Sequence, residues 1–179
     1  MSALRGRAFL QLPSPGRLRQ GHRTAPDHSP PAPLGLDTGA PAPDFEARTG
    51  AGHDVRLRDV WGRGLLLFLV TPGSPPCRDI APALVRFAGR TRMQGARLAV
   101  AVFGSPEASR EALPQLFEHG LTVLMPRAGA EQVQAAFRLL VPAWCAISER
   151  GTVVESGTLI DQEELWQRLE TMLAGMPAW

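Results

Sequence analysis

The chain has 179 residues, 44% of them hydrophobic, enough for one domain of ordinary size with a real core. All 19 basic residues are Arg, with no Lys, Asn or Tyr anywhere, and the formal net charge is +2. Residues 1–36 hold five Arg and one acid, while the rest holds 14 Arg against 16 acids. The basic excess therefore belongs to the N-terminal stretch, and the dispersed, matched charges beyond it exclude a nucleic-acid-binding face. Two cysteines, Cys77 and Cys145, are too few for a disulfide framework. With four scattered histidines they make no metal-ligand spacing, and no motif calls for a cofactor. The longest apolar run, Gly64 to Val70, is too short to span a bilayer. Neither a signal peptide nor a membrane anchor is visible, so the expectation is a cytoplasmic protein with reduced thiols.

In chain order, residues 1–38 are rich in Pro, Arg, Ser and Gly, and eight of the 17 prolines precede Phe45. Such a stretch buries too little apolar surface to offset its ordering entropy and reads as a disordered tail. The domain is expected over 39–175, with 176–179 as a C-terminal end. "DFEAR" (44–48) and "DVRLRD" (54–59) alternate around turn residues and predict a hairpin. "GLLLFLV" (64–70) predicts a central strand covered on both faces. Ser74 is placed as a helix N-cap and Pro75 at the first helical position, with Pro82 inside a helix that runs to about Arg92.

"ARLAVAVFG" (96–104) predicts a second buried strand. Residues 105–120 predict one helix, opened by Ser105 and Pro106 and closed by Gly120. "LTVLM" (121–125) predicts a short strand, and 130–140 a helix with Val133, Phe137 and Leu140 on its inner face. "AWCAIS" (143–148) and "TVVESGTL" (152–159) predict a hairpin. A last helix, 161–175, starts at a capping Asp161 and turns Leu165, Leu169, Met172 and Leu173 to the core. The fold class is α/β, with a mixed central β-sheet flanked by helices and an N-terminal β-hairpin extension.

Three separated motifs, in order, resemble the thioredoxin-like superfamily. "SPPCRDIAPAL" (74–84) resembles the Cys-x-x-Cys turn that opens a helix, with Cys77 and Pro82 at the family's spacing. "LLVPAWCAISERGTVVESGTL" (139–159) resembles the segment in which a cis Val-Pro, here Val141-Pro142, precedes an apolar strand. Residues 39–70 resemble the opening hairpin of the alkyl hydroperoxide reductase/thiol-specific antioxidant and thiol-disulfide oxidoreductase branch. Within it, the chain is most similar to the accessory proteins of methylamine dehydrogenase maturation. That group works outside the cytoplasm behind an N-terminal anchor, which this sequence does not display.

The resemblance implies thiol chemistry, and the residues depart from it. In the family the first Cys of the turn attacks a substrate disulfide and the second resolves the mixed disulfide. Here the attacking position is Ser74, the position of the family's buried Asp is Phe68, and the Trp before the first Cys is Gly73. A hydroxyl is not ionised at neutral pH without a base, so dithiol turnover is not expected. Cys77 remains in the first helical turn, where the helix dipole favours a thiolate; Arg78 adds to that effect and Asp79 opposes it. Two readings of Cys77 stand open: a single reactive thiol, or a packed, inert residue. Ser74 reads as a cap whose hydroxyl accepts from the Cys77 amide. Pro75, Pro76 and Arg78 form the thiol's surroundings, and Val141 and Pro142 the substrate groove.

The leading expectation is therefore a thioredoxin-like protein with a degenerate Ser-x-x-Cys site, limited to single-thiol chemistry at Cys77 with a protein thiol or disulfide partner. A one-Cys peroxiredoxin-like peroxidase acting on a small peroxide is the alternative, because Ser74-x-x-Cys77 matches half of that motif. The expected Pro is replaced by Val70, and the expected Arg meets Pro142. A non-catalytic module binding an extended peptide is the third. Cys145, in a strand, is expected to be a structural core residue, with pairing to Cys77 left open.

Overall fold

The computed structural model describes residues 34–62, 64–93, 97–159 and 162–175. The expected tail up to residue 33, the Asp161 cap, the inward packing of Leu165, Met172 and Leu173, and the end at 176–179 lie outside what is described.

Seven strands form one mixed sheet, in the spatial order Asp54–Arg56, Glu46–Thr49, Thr122–Pro126, Arg97–Val102, Leu65–Val70, Ala143–Ile147 and Val153–Thr158. The hairpin β1 (Glu46–Thr49) and β2 (Asp54–Arg56) leads through a 3₁₀ turn (Leu57–Val60) into β3 (Leu65–Val70). Helix α1 (Pro75–Met93) crosses to β4 (Arg97–Val102), which pairs parallel with β3. Next come α2 (Pro106–Ala112), α3 (Pro114–Glu118), β5 (Thr122–Pro126) and α4 (Ala130–Phe137). The hairpin β6 (Ala143–Ile147) and β7 (Val153–Thr158) and helix α5 (Gln162–Gly175) close the fold.

The continuous apolar run of β3 is buried on both faces, as a strand sandwiched between helices must be. Leu66, Phe68 and Val70 join one core, with Ile80 and Leu84 of α1 and Leu169 of α5. Leu65, Leu67 and Leu69 join the other, with Val133 and Phe137 of α4. The strand's two-residue period thus divides its side chains between two helical layers.

Two expected helices end differently. The helix expected over 105–120 is broken at Leu113, whose backbone leaves the helical region (φ −133°, ψ 47°). Pro114 explains the break: it has no N–H to donate and it disfavours the α region for the residue before it. The start is as expected, with the Ser105 hydroxyl accepting from the Ala108 amide at 3.2 Å. The helix expected over 130–140 stops at Phe137, where Arg138 turns left-handed (φ 54°). The Leu139 amide then bonds the Gln134 carbonyl and the Arg138 amide the Ala135 carbonyl, the Schellman pattern. The turn sends Leu139 into the core, 2% exposed, and leaves Leu140 59% exposed, the reverse of the expected helical face.

The folded unit also reaches further toward the N-terminus than the expected boundary at 39. Gly35 donates to the Arg138 carbonyl, the Leu36 amide to the Ser156 hydroxyl, and the Thr38 hydroxyl to the Val154 carbonyl. Gly39 and Ala40 continue this ladder onto Val153, so the outer edge of β7 is partly covered by the chain's own backbone.

Candidate functional site

The site is assembled by strand ends. Leu69 of β3 pairs with Ala143 of β6, so the turn after Val70 and the Val141-Pro142 segment arrive at the same end of the sheet. That end is the carboxyl end of β3 and β4, where open α/β sheets carry their ligands. The Phe103 amide bonds the Val70 carbonyl at 2.9 Å, and the Thr71 hydroxyl donates to the Phe103 carbonyl at 3.2 Å, tying the two strand ends together. The Val141-Pro142 peptide is cis. Pro142 is buried, its carbonyl accepting from the Leu159 amide at 2.8 Å, and Val141 is half-buried.

Ser74 occupies the position before α1, as expected of a cap. Its carbonyl accepts from the amides of Cys77 (3.1 Å) and Arg78 (3.3 Å), so the bond expected of its hydroxyl is made by the backbone instead. Pro76 supplies no N–H at the position where a cap usually bonds, which leaves the first turn to this carbonyl. Ser74 is half-buried, and Pro75, Pro76 and Arg78 are exposed. Arg78 donates from Nη1 to the Pro72 carbonyl at 3.0 Å; the charge expected to act on the thiol thus braces the loop.

Cys77 is 0% exposed. It belongs to the buried core that also holds Phe68, Val70, Ile80, Ala81 and Trp144. The Thr71 amide donates to its Sγ at 3.4 Å. Thr71 and Trp144 were not among the expected site residues. Both were legible in principle: Thr71 follows the strand that ends over the helix start, and Trp144 pairs with Phe68 and shares its face. Phe68 is also 0% exposed and meets the Trp166 ring at 6.4 Å between centroids. A buried aromatic in this position leaves no carboxylate to move a proton to or from the sulfur.

Cys145 lies on the opposite face of the sheet. Trp144 and Ala146 of β6 face the core that holds Cys77, while Ala143, Cys145 and Ile147 face the other. Both cysteines are free, and β6 itself separates them, so the pairing left open in the sequence does not form. Burial pushes the Cys145 thiol up from 9.0 to about 12. The raised folded value means the neutral thiol stabilises the fold fully below the unfolded value, and this stability is lost as pH rises from about 9 through 12. The shift corresponds to at most ~4 kcal/mol. Since the chain contains no Lys and no Tyr, few other groups titrate in that window. Urea unfolding from pH 8.5 to 11 should therefore show a falling midpoint, and Cys145→Ala should flatten most of that slope.

Among the described residues no cluster of His, Cys, Asp and Glu could hold a metal ion, and no helix is long and apolar enough to cross a membrane.

The sheet order, the α1 turn at its carboxyl end and the cis Val141-Pro142 define a thioredoxin fold. Solved structures agree. The thioredoxin domain of a thiol-disulfide oxidoreductase from Bacteroides vulgatus superposes with a TM-score of 0.64 at 18% identity, covering 77% of this chain and 99% of that one. A thiol:disulfide interchange protein from a Bacteroides species gives 0.65 at 19% identity, covering 78% and 92%. A putative thiol:disulfide interchange protein DsbE from Chlorobium tepidum gives 0.60 at 22%, covering 77% and 99%. No curated protein sequence matches the chain. Residues 38–162 match the profile of the AhpC/TSA family, and the chain belongs to that family.

Proposed function

We propose that this AhpC/TSA-family chain uses the thioredoxin scaffold to bind a protein partner, without turning over disulfides. An extended segment of the partner would lie across Ser74, Pro75 and Pro76 and against Val141-Pro142, held by backbone hydrogen bonds. Cys77 serves beneath this surface as a core thiol.

The observation that carries the reading is the complete burial of Cys77 in an apolar cluster, with a hydroxyl at Ser74 in the attacking position. Dithiol exchange needs an accessible thiolate to attack and a second thiol to resolve. Here the partly exposed position carries no sulfur, and the sulfur has no exposure. The same burial weighs against the peroxidase reading, in which peroxide must reach the sulfur, and against capture of a partner by mixed disulfide.

Insulin reduction in the presence of dithiothreitol tests the proposal. The wild-type chain is expected to run at the rate of dithiothreitol alone. Ser74→Cys supplies the missing attacker and is expected to run above that rate. Wild-type turnover above the blank, lost in Cys77→Ala, would overturn the proposal.

A further inference from the structure

At the other end of the sheet, a cleft of about 550 Å³ opens between the β1–β2 turn and the segment leading into β5. Leu121 and Thr122, on its wall, stand at the start of β5. Strands β3, β4 and β5 run parallel, so the start of β5 is remote from the Ser74 turn, which follows the end of β3. The volume lies within the range of about 300–1,000 Å³ typical of small-molecule sites.

The charge of this cleft is one-sided. Arg110 and His53 line it, and among the described residues no carboxylate does. The arginines of the neighbouring hairpin are compensated: Arg48 by Asp54, Arg56 by Glu46, and Arg58 by Asp44. Arg110 makes no such pair among the described residues. Its guanidinium carbon lies 5.4 Å from the centroid of the Phe117 ring, and its Nη2 donates to the Gly50 carbonyl at 3.2 Å. These two anchors hold the planar fork in place, so little side-chain freedom remains to be lost when a ligand binds. Among the described residues one of its five N–H donors is engaged, which leaves the others for an acceptor. Phe117 and Leu121, both half-buried, and buried Val123 supply an apolar wall beside it.

We propose that this cleft binds a small carboxylate with an apolar body, the carboxylate on Arg110 and the body against Phe117, Leu121 and Val123. A fixed guanidinium matches a carboxylate through two parallel N–H···O bonds. The apolar wall separates such ligands from bare anions, and the cation separates them from neutral molecules of the same shape.

The test is an amide NMR titration of the full chain at low salt with three probes: benzoate, acetate and benzamide. Benzoate is expected to shift the amides of Gly50, His53, Phe117 and Thr122 with a dissociation constant on the order of 1 mM. Acetate, without the body, and benzamide, without the charge, are expected to bind at least about fivefold more weakly. Arg110→Gln is expected to weaken benzoate about tenfold or more while keeping a dispersed spectrum. If Arg110→Gln does not fold, Arg110→Lys carries the test, since it keeps the charge and loses the fork. Shifts that map elsewhere, equal binding of acetate or benzamide, or unchanged affinity in the folded Arg110 variant would each overturn the proposal.

Discussion

Gly151→Ala is expected to lower the melting temperature by roughly 10 °C, corresponding to ~3 kcal/mol or more in a domain of this size. Gly151 sits in the β6–β7 turn with φ +73°, a left-handed conformation that an L side chain adopts at a cost of about 1–2 kcal/mol. The space is closed as well. A Cβ built there would lie 1.9 Å from Cζ3 of Trp61 and 2.5 Å from its Cη2, so the indole must move. Trp61 is packed against the core that contains Leu65, Leu67 and Val153, and its displacement uncovers part of that layer. A double-mutant cycle separates the two causes: in a Trp61→Ala background the same Gly151 change should cost only the backbone share. Equal costs in both backgrounds would show that the contact with the ring is not what excludes a side chain.

Phe68→Asp is the second large effect. It places at position 68 the buried acid that the resemblance to thioredoxins implies there, and it should cost at least ~4 kcal/mol or prevent folding. Phe68 is 0% exposed, meets the Trp166 ring and lies in the same apolar core as Val70, Ile80, Leu84 and Cys77. A carboxylate there would be a buried charge with no partner, and the lost ring would leave a cavity. Phe68→Leu, which keeps most of the volume, should cost clearly less. Chemical unfolding of the three proteins side by side checks this. A Phe68→Asp chain as stable as the Leu variant would mean that the site holds water or a polar partner. The account of Cys77 as a core thiol would then lose its physical basis.

Much of the fold was legible because its strongest signals are local. The unbroken run Leu65–Val70 could only be a strand covered on both sides, and Ser105 with Pro106 could only open a helix. The spacing from Cys77 to Pro82 and the Val141-Pro142 pair carry the resemblance that points to the candidate site. What escaped the sequence depends on tertiary partners or on weak local cues. Pro114 was readable as a break, yet the strong start at Ser105 and the stop at Gly120 favoured one helix. Arg138 ends α4 in a conformation usually taken by Gly, so no residue type announced that Leu139, and not Leu140, would turn inward. The burial of Cys77 is the most consequential such case. A helix N-terminus is ordinarily an exposed place, yet this thiol accepts from the Thr71 amide and lies in one core with Phe68 of β3 and Trp144 of β6, partners that only the tertiary fold brings to it. The placement of Cys145 across the sheet follows from the register of β6 against β3, which fixes the face of every residue in both strands.

The most direct test of this account is thiol titration of the native chain with an aromatic disulfide reagent. Both cysteines are free and buried, so the native protein should release essentially no chromophore on the timescale in which the denatured chain releases two equivalents. Any slow release should follow the rate of unfolding and accelerate with denaturant. One equivalent released rapidly from the native chain, and lost in Cys77→Ala, would contradict the account and return Cys77 to the role of an accessible, reactive thiol.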